Sequence, residues 1–276
     1  MASSIRERLI AQLASGQFVS GQAIGEMFGI SRTAIAKHIN AIEKMGIDVF
    51  RVTGKGYRLA EPLLLLNKSA IAEHCQRQAL NPNIETHSVI DSTNTFLLRR
   101  IPNQVQKGQI CVAEFQSAGR GRRGRTWVSP FGSHIYFSMY WYFEQGMAAA
   151  MGLNVVVALA ISDALSNLYQ LEAQLKWPND IYLNDKKLAG ILIELEGQAL
   201  EPCHSVIGIG LNVNMPSQMA EKIDQPWSDI QSNVSSKVDR NQLVGELIIC
   251  LNKRLAAHEE SGLASMLNDW QSRDKF

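Results

Sequence analysis

Apolar residues at Ile5, Leu9 and Leu13 recur every four positions, the spacing of one helix face, and Gly16 ends the run. A second short helix is predicted over 21–28, with Ile24 and Phe28 on one face and Gly29 breaking it. Ser31 suits an N-cap, and the third helix that it opens runs to about Met45. Ile35, Ile39, Ile42 and Met45 form its buried stripe, while Thr33, Lys37, Asn40 and Lys44 fall on the opposite face. In "VFRVTGKGYRL", two β-prone runs flank Thr53-Gly54-Lys55-Gly56, the pattern of a hairpin.

Helix, glycine-containing turn, polar-faced helix and hairpin together are the pattern of a winged helix-turn-helix. On this reading Ser31, Arg32, Thr33, Lys37 and Asn40 are the DNA-facing residues. A plain three-helix unit with a solvated charged face is the alternative, and the hairpin directly after the third helix argues against it. Glu61-Pro62 then interrupts regular structure, which sets a first domain at 1–62 and a second at 67–276. In the second, "QICVAEF" and "HIYFSMYWYF" read as strands and "GLNVVVALAISDALSNL" as a long apolar helix. "DIYLNDKKLAGILIEL" reads as a hairpin turning at Asn184-Asp185, "CHSVIGIGLNVNM" as another strand, and Asn241 to His258 as a last helix. Strands dominate, with helices on the sheet, so the fold class is α+β with a mixed sheet. The two units read as separable, so removal of residues 1–60 is expected to leave the second domain's chemistry intact.

Composition adds limits. The 276 residues are 46% hydrophobic and 19% charged, enough for a real core, and the net charge of +1 excludes a polycation. Nucleic-acid binding must then come from a local patch. Cys75, Cys111, Cys203 and Cys250 lie far apart with no zinc-ligand or C-x-x-C spacing, which suits reduced packing thiols in a cytoplasmic protein. "MASSIRERLIAQLASG" has no signal-peptide core, and the apolar stretch from Gly152 to Ile161 is too short to span a bilayer, so no membrane is expected.

Four segments of the second domain carry chemistry. In "DSTNTF", Ser92, Thr93 and Asn94 precede a helix and can either cap it or bind a ligand's polar end. In "EFQSAGRGRRGR", Gln116 ends a strand and a glycine-arginine loop follows. Glycines let backbone N–H groups approach an anion, and arginines supply bidentate donors. The loop is short, lysine-free and flanked by strands. That favours a small anionic ligand over a second nucleic-acid contact, although both readings stand. "LKWPNDIYLNDKKLAG" places Trp177-Pro178 in an extended turn, Lys176 on one side and Asn179-Asp180 on the other. Lys186 and Lys187 alternate faces of the return strand, so one of them can enter a site; a hairpin with two solvated lysines is the plainer reading. "GIGLNVN" permits close backbone approach and offers Asn212, but it is neither a dinucleotide fingerprint nor a Walker loop.

In this order after a winged helix-turn-helix, "DSTN", "GRGRRGRTWVSPFG", "KWPNDIYLNDKKLAGILIE" and "GIGLNVN" closely resemble the bifunctional biotin–protein ligases and biotin operon repressors of bacteria, over nearly the whole chain. The resemblance implies a biotin/lipoate ligase-like catalytic domain that makes biotinyl-5′-adenylate from biotin and ATP with Mg²⁺. Biotin then passes to a lysine of the biotin carboxyl carrier protein of acetyl-CoA carboxylase. With the adenylate bound, such a protein forms a homodimer on the biotin operator and represses. The resemblance assigns biotin contacts to Ser92, Thr93, Asn94, Gln116, Arg120, Gly121, Arg122 and Lys187, with Lys187, Arg122 and Asp180 catalytic and Asp180 a magnesium ligand. It assigns the adenylate side to Trp127, Lys176, Asn179, Asn212 and Trp227, under a loop from Asn214 to about Val238. The family continues past "NDWQSRDKF" into a small SH3-like barrel, which this sequence is expected to lack, leaving ligase turnover in question. A biotin-responsive transcription factor with slow turnover and a lipoate-type ligase are the alternatives.

Overall fold

The computed structural model describes residues 5–197, 202–221 and 223–275. The first four residues of the N-terminal stretch, residue 222 of the loop after Asn214, and the final residue of the second domain lie outside them. The N-terminal head is built as the periodicity predicts: α1 Ile5–Leu13, α2 Gly21–Phe28, α3 Arg32–Glu43, β1 Val49–Val52 and β2 Gly56–Leu59. Ser20 and Ser31 cap α2 and α3, their hydroxyls accepting from the Ala23 and Ala34 N–H groups. Leu9, Leu13, Ile24, Ile35, Ile39 and Ile42 close a dry core. The third helix stops at Glu43, two residues earlier than expected, yet Met45 stays buried. The antiparallel β1–β2 wing is tied to the helices by a bridge from Val19 to Tyr57. That approach requires glycine at 56, where a Cβ would come within 2.1 Å of the Val19 carbonyl oxygen.

The second domain runs α4 Lys68–Gln76, β3 Ile84–His87, α5 Thr93–Leu98, β4 Ile110–Ala113, β5 Ile135–Phe143, α6 Leu153–Tyr169, β6 Gln174–Lys176, β7 Asp180–Leu183, β8 Lys186–Glu196, β9 Cys203–Leu211, α7 Ser217–Ala220, α8 Arg240–Ser261 and α9 Leu267–Gln271. Seven strands form one mixed sheet in the order β3-β4-β5-β9-β8-β7-β6, parallel only at β3–β4. Helices α6 and α8 pack together, with α4 against α8, while α5 lies on β4, β5 and β9. Asn184 and Asp185 both take left-handed backbone (φ 50° and 60°), the two-residue turn whose twist matches a hairpin. The four cysteines are free and buried.

The apolar stretch is longer than the window from Gly152 to Ile161. Met147–Tyr169 spans 23 residues with a mean hydropathy of 1.8, long and apolar enough to cross a membrane, but 67% of its most apolar part is buried inside the fold. Its composition is that of a core helix: Val156, Val157, Leu159, Ala160, Ile161, Ala164 and Leu165 are all inaccessible.

Two features stand out among those that join the domains. Arg240 donates to the Leu64 carbonyl (2.8 Å), to Glu114 (2.7 Å) and to the His134 carbonyl (3.3 Å), and Glu114 accepts from the Leu66 N–H. Arg240 and Glu114 are 5% and 4% exposed, so either one alone would be a buried, unpaired charge. Asn241 completes the clasp, accepting from the Asn67 N–H (2.8 Å) and donating to Leu65 (3.2 Å). The His134 ring between them is pushed down to about pKa 4 by complete burial; its Nδ1 accepts from the Val213 N–H (3.0 Å), so the ring is neutral at pH 7. The second feature is Phe131, which follows the arginine-rich loop yet lies 2% exposed in the head's own core, its N–H bonded to Met45 (2.8 Å).

Without residues 1–60, Phe131 would lose the core that covers it and face water. Phe131→Ala should remove about 3 kcal/mol or more from the head's core. Calorimetry should then resolve a head transition below that of the second domain. One unaltered transition would show that the contact carries no coupling.

Candidate functional site

On one face of the sheet, where strands β8 and β9 meet, three glycines leave the backbone bare. Gly190 and Gly210 face each other across the two strands, and Gly208 follows on β9. A Cβ at 210 would come within 2.4 Å of the Trp127 indole, one at 190 within 2.9 Å, and one at 208 within 2.3 Å of the Asn94 amide oxygen. Trp127 and Asn94 thus lie in depressions that only glycine leaves.

Above this floor is a cavity of about 420 Å³. One end is the start of α5. Ser92 caps the helix, so the capping reading is correct, and Ser92, Thr93 and Asn94 also line the cavity. The Gln116 amide oxygen accepts from the Thr93 N–H (2.9 Å) and hydroxyl (3.2 Å). Asn94 donates to the Leu192 carbonyl (3.1 Å) and to Glu194 (2.8 Å). The Ser138 hydroxyl lies 2.7 Å from that of Thr93 and 2.5 Å from the Asn94 oxygen. All these groups are oriented before any ligand arrives.

The other end is cationic. The arginine-glycine run folds into a tight hairpin, closed by a bridge between Arg120 and Thr126 and by a bond from Gly121 N–H to the Arg125 carbonyl (2.7 Å). Arg120 reaches Thr95 (3.0 Å) and Glu194 (3.1 Å), and Arg122 donates to the Asn179 side-chain oxygen. Arg120, Gly121, Arg122, Arg123 and Arg125 all border the cavity. Trp177-Pro178 forms a tight turn with a cis peptide, not an extended one, and Trp177 is 70% exposed. Asn179, 7% exposed, spends its amide on Ile191 (2.9 Å) and Arg122, so it positions its neighbours.

Which lysine enters is decided by a bulge. Ile181 pairs with Ala189 but Tyr182 pairs with Lys187, so Leu188 is an extra residue on β8. The bulge places Lys187 on the face of Gly190, where a Cβ would lie 3.6 Å from its side chain. Its ammonium pairs with Asp180 (2.9 Å) and lies 5.8 Å from the Trp127 ring centre. Lys186 is exposed, as alternation requires. Lys187 also holds the loop after Asn214: its N–H donates to the Pro226 carbonyl (3.1 Å) and its carbonyl accepts from Ser228 (2.8 Å).

Across Trp127 is a smaller cavity of about 80 Å³, lined by Asn212, Ile223, Gln225 and Trp227 among others. Asn212 donates to the Ser228 carbonyl (3.0 Å). Trp127, Lys187 and Gln225 border both cavities. Two anionic ligands, one in each cavity, would meet at the Lys187 ammonium. Of the residues assigned to the ligand site by the resemblance, Lys176 lines neither cavity, and its ammonium lies 5.2 Å from the Tyr182 ring centre. Glu194, Ser138 and Gln225 were not anticipated. A glutamate in the apolar run "GILIELE" was the one available signal.

On the head, Arg32, Thr33, Lys37 and Asn40 are exposed along α3, with Ser31 at its cap.

Residues 87–212 match the model of the biotin/lipoate A/B protein ligase family, and residues 6–58 match a helix-turn-helix domain. The chain is 46% identical to a bifunctional ligase/repressor of Salmonella typhimurium, over 97% of this chain and 82% of that protein. It is 45% identical to the bifunctional ligase/repressor of Escherichia coli, over 98% and 82%. Among solved structures, a biotin protein ligase from Aquifex aeolicus in complex with biotin and ATP aligns with a TM-score of 0.59 at 26% identity, covering 70% of this chain and 79% of that one.

Proposed function

This chain belongs to the biotin/lipoate A/B protein ligase family, and on that premise we propose that it is a biotin–protein ligase that also represses transcription from a biotin operator. The observation that carries the reading is Lys187 on the border of both cavities. Biotin takes the larger cavity, its ring held at the Ser92–Asn94 and Gln116 end and its carboxylate toward Lys187 and Arg122. ATP takes the side of Trp127, Asn212 and Trp227. A carboxylate oxygen attacks the α-phosphorus, a new P–O bond forms, and pyrophosphate leaves. The acceptor lysine's amine then attacks the acyl carbon of the adenylate, and AMP leaves. Lys187 faces the oxygens that gain charge in the first step, and the low exposure of its side chain (13%) strengthens that interaction. Arg120 and Arg122, tethered to Glu194 and Asn179, form the rim that keeps the mixed anhydride from water.

Among the described residues, no three acidic, histidine or cysteine side chains are grouped to hold a metal. The donor set therefore fits magnesium only as an ion carried in by the triphosphate, with Asp180 the side chain that would touch it. When bound, the ion neutralises phosphate charge. The acceptor is the biotin carboxyl carrier protein of acetyl-CoA carboxylase. With the adenylate bound, the chain forms a homodimer that presents two α3 helices to a palindromic site. Buried free thiols are consistent with a cytoplasmic location.

Incubation with biotin, ATP and a carrier domain, followed by mass spectrometry, should show one biotinyl group on one carrier lysine; lipoyl transfer in its place would shift the reading to a lipoate ligase. Lys187→Ala should slow adenylate synthesis by about a hundred- to a thousand-fold, with Lys186→Ala close to unsubstituted protein. Equal losses from the two would refute the facing that the bulge imposes. Arg122→Gly should release adenylate and label a bystander protein's lysines. Bystander labelling no higher than that of the unsubstituted chain would remove the rim from this role. Biotin and ATP together should tighten operator binding, and affinity equal with and without them would uncouple the two activities.

A further inference from the structure

The wing reaches back to the recognition helix at one point. Arg51 shares a strand face with Val49, which packs on the head core, so its side chain is directed at α3. Its Nη2 donates to the Asn40 side-chain oxygen (2.6 Å) and to the Glu43 carboxylate. A guanidinium can only donate, so chemistry alone turns the Asn40 oxygen toward Arg51. The Asn40 amide nitrogen meets no partner among the described residues and stays on the exposed face that carries Thr33 and Lys37. Glu43, one helical turn on, holds Arg51 in place and opposes its charge.

We propose that Arg51 is a specificity-determining positioning residue that turns Asn40 into a donor-only reader of the major groove. The inference rests on the DNA-binding reading above. A free asparagine reads adenine with two bonds, accepting from N6–H and donating to N7. With its oxygen held by Arg51, Asn40 offers N–H groups alone. Guanine, which presents N7 and O6 acceptors side by side, is then the base that it fits, and adenine is disfavoured because its N6–H meets another donor.

The test is selection from randomised duplexes by the full chain with biotin and ATP, read base by base. The unsubstituted chain should favour guanine over adenine about tenfold at one position of each half-site. Asn40→Ala should erase the preference at that position alone. Arg51→Ala should free the amide and move the same position toward adenine, and Arg51→Lys, still donor-only, should keep guanine. Four results would overturn the proposal: adenine already favoured by the unsubstituted chain, Arg51→Ala leaving the base preference unaltered, the two alanine variants acting at different positions, or Arg51→Ala weakening all sequences equally with a shallower salt dependence, the mark of a phosphate contact. No enrichment of any sequence by the unsubstituted chain would instead remove the DNA-binding reading itself, and this inference with it.

Discussion

A patch of sheet without side chains governs this molecule. Gly190, Gly208 and Gly210 leave room where any Cβ would strike Trp127 or Asn94, and those two residues in turn shape the cavities. Trp127 on the glycine floor divides one depression into two chambers and leaves Lys187 at their boundary. Asn94, set into the third gap, fixes Ser138 and Glu194, and Glu194 anchors Arg120. The cationic rim and the amide-lined end are therefore referenced to the same two strands.

The floor is also linked to the head through a short segment held at both ends. Three residues separate Trp127 from Phe131, and that stretch is tied down at several points. Ser129 bonds back to the Trp127 carbonyl (3.0 Å), Tyr136 holds the Pro130 carbonyl (2.7 Å), and Pro130 packs against Gly46 of the head. A shift of the indole must be absorbed within a segment whose far end lies in the core of α1–α3. The loop after Asn214 touches the head as well, through Gln218 on Asp48 (2.8 Å) and Met219 against Gly46. Both chambers thus have a covalent and a packed route to the DNA-facing domain, while the Arg240–Glu114 clasp keeps the linker from adding slack.

Much of this was legible in the sequence, for identifiable reasons. The head followed from apolar spacing and the Ser31 cap, since local rules decide local structure. The long strands, the β7–β8 hairpin and α6 were legible because their patterns are long. Strands β3 and β6, of four and three residues, lack a period and exist only because neighbours pair with them. In the site, alternation said that one of two lysines faces inward but could not say which. The bulge at Leu188, set by pairing with β7 and the Trp227 segment, makes that choice. Lys176 stood close to the motif in sequence yet stays outside both cavities, because position on a short edge strand says nothing of the direction of a cavity. Phe131 was invisible for a related reason: an apolar residue after a loop belongs, by sequence, to its own domain.

Charge distribution brings the two activities together. A net charge of +1 gives the chain little long-range attraction to DNA, and five positions of the cavity rim already take up Arg120, Arg122, Arg123 and Arg125 with their glycine. The head's outward face offers Arg32, Lys37 and Lys44, with Lys55 exposed on the wing, while Arg51 is engaged by Glu43. These cations act locally on phosphates, so binding by a single head is salt-sensitive. Doubling the heads on a palindrome doubles the phosphate contacts and adds a fixed half-site spacing, which one head cannot read. On the proposed function, the arginines of the loop serve a small anion and the cations of the head serve phosphate, and pairing of heads when the cavity is occupied would set how many phosphates are held at once.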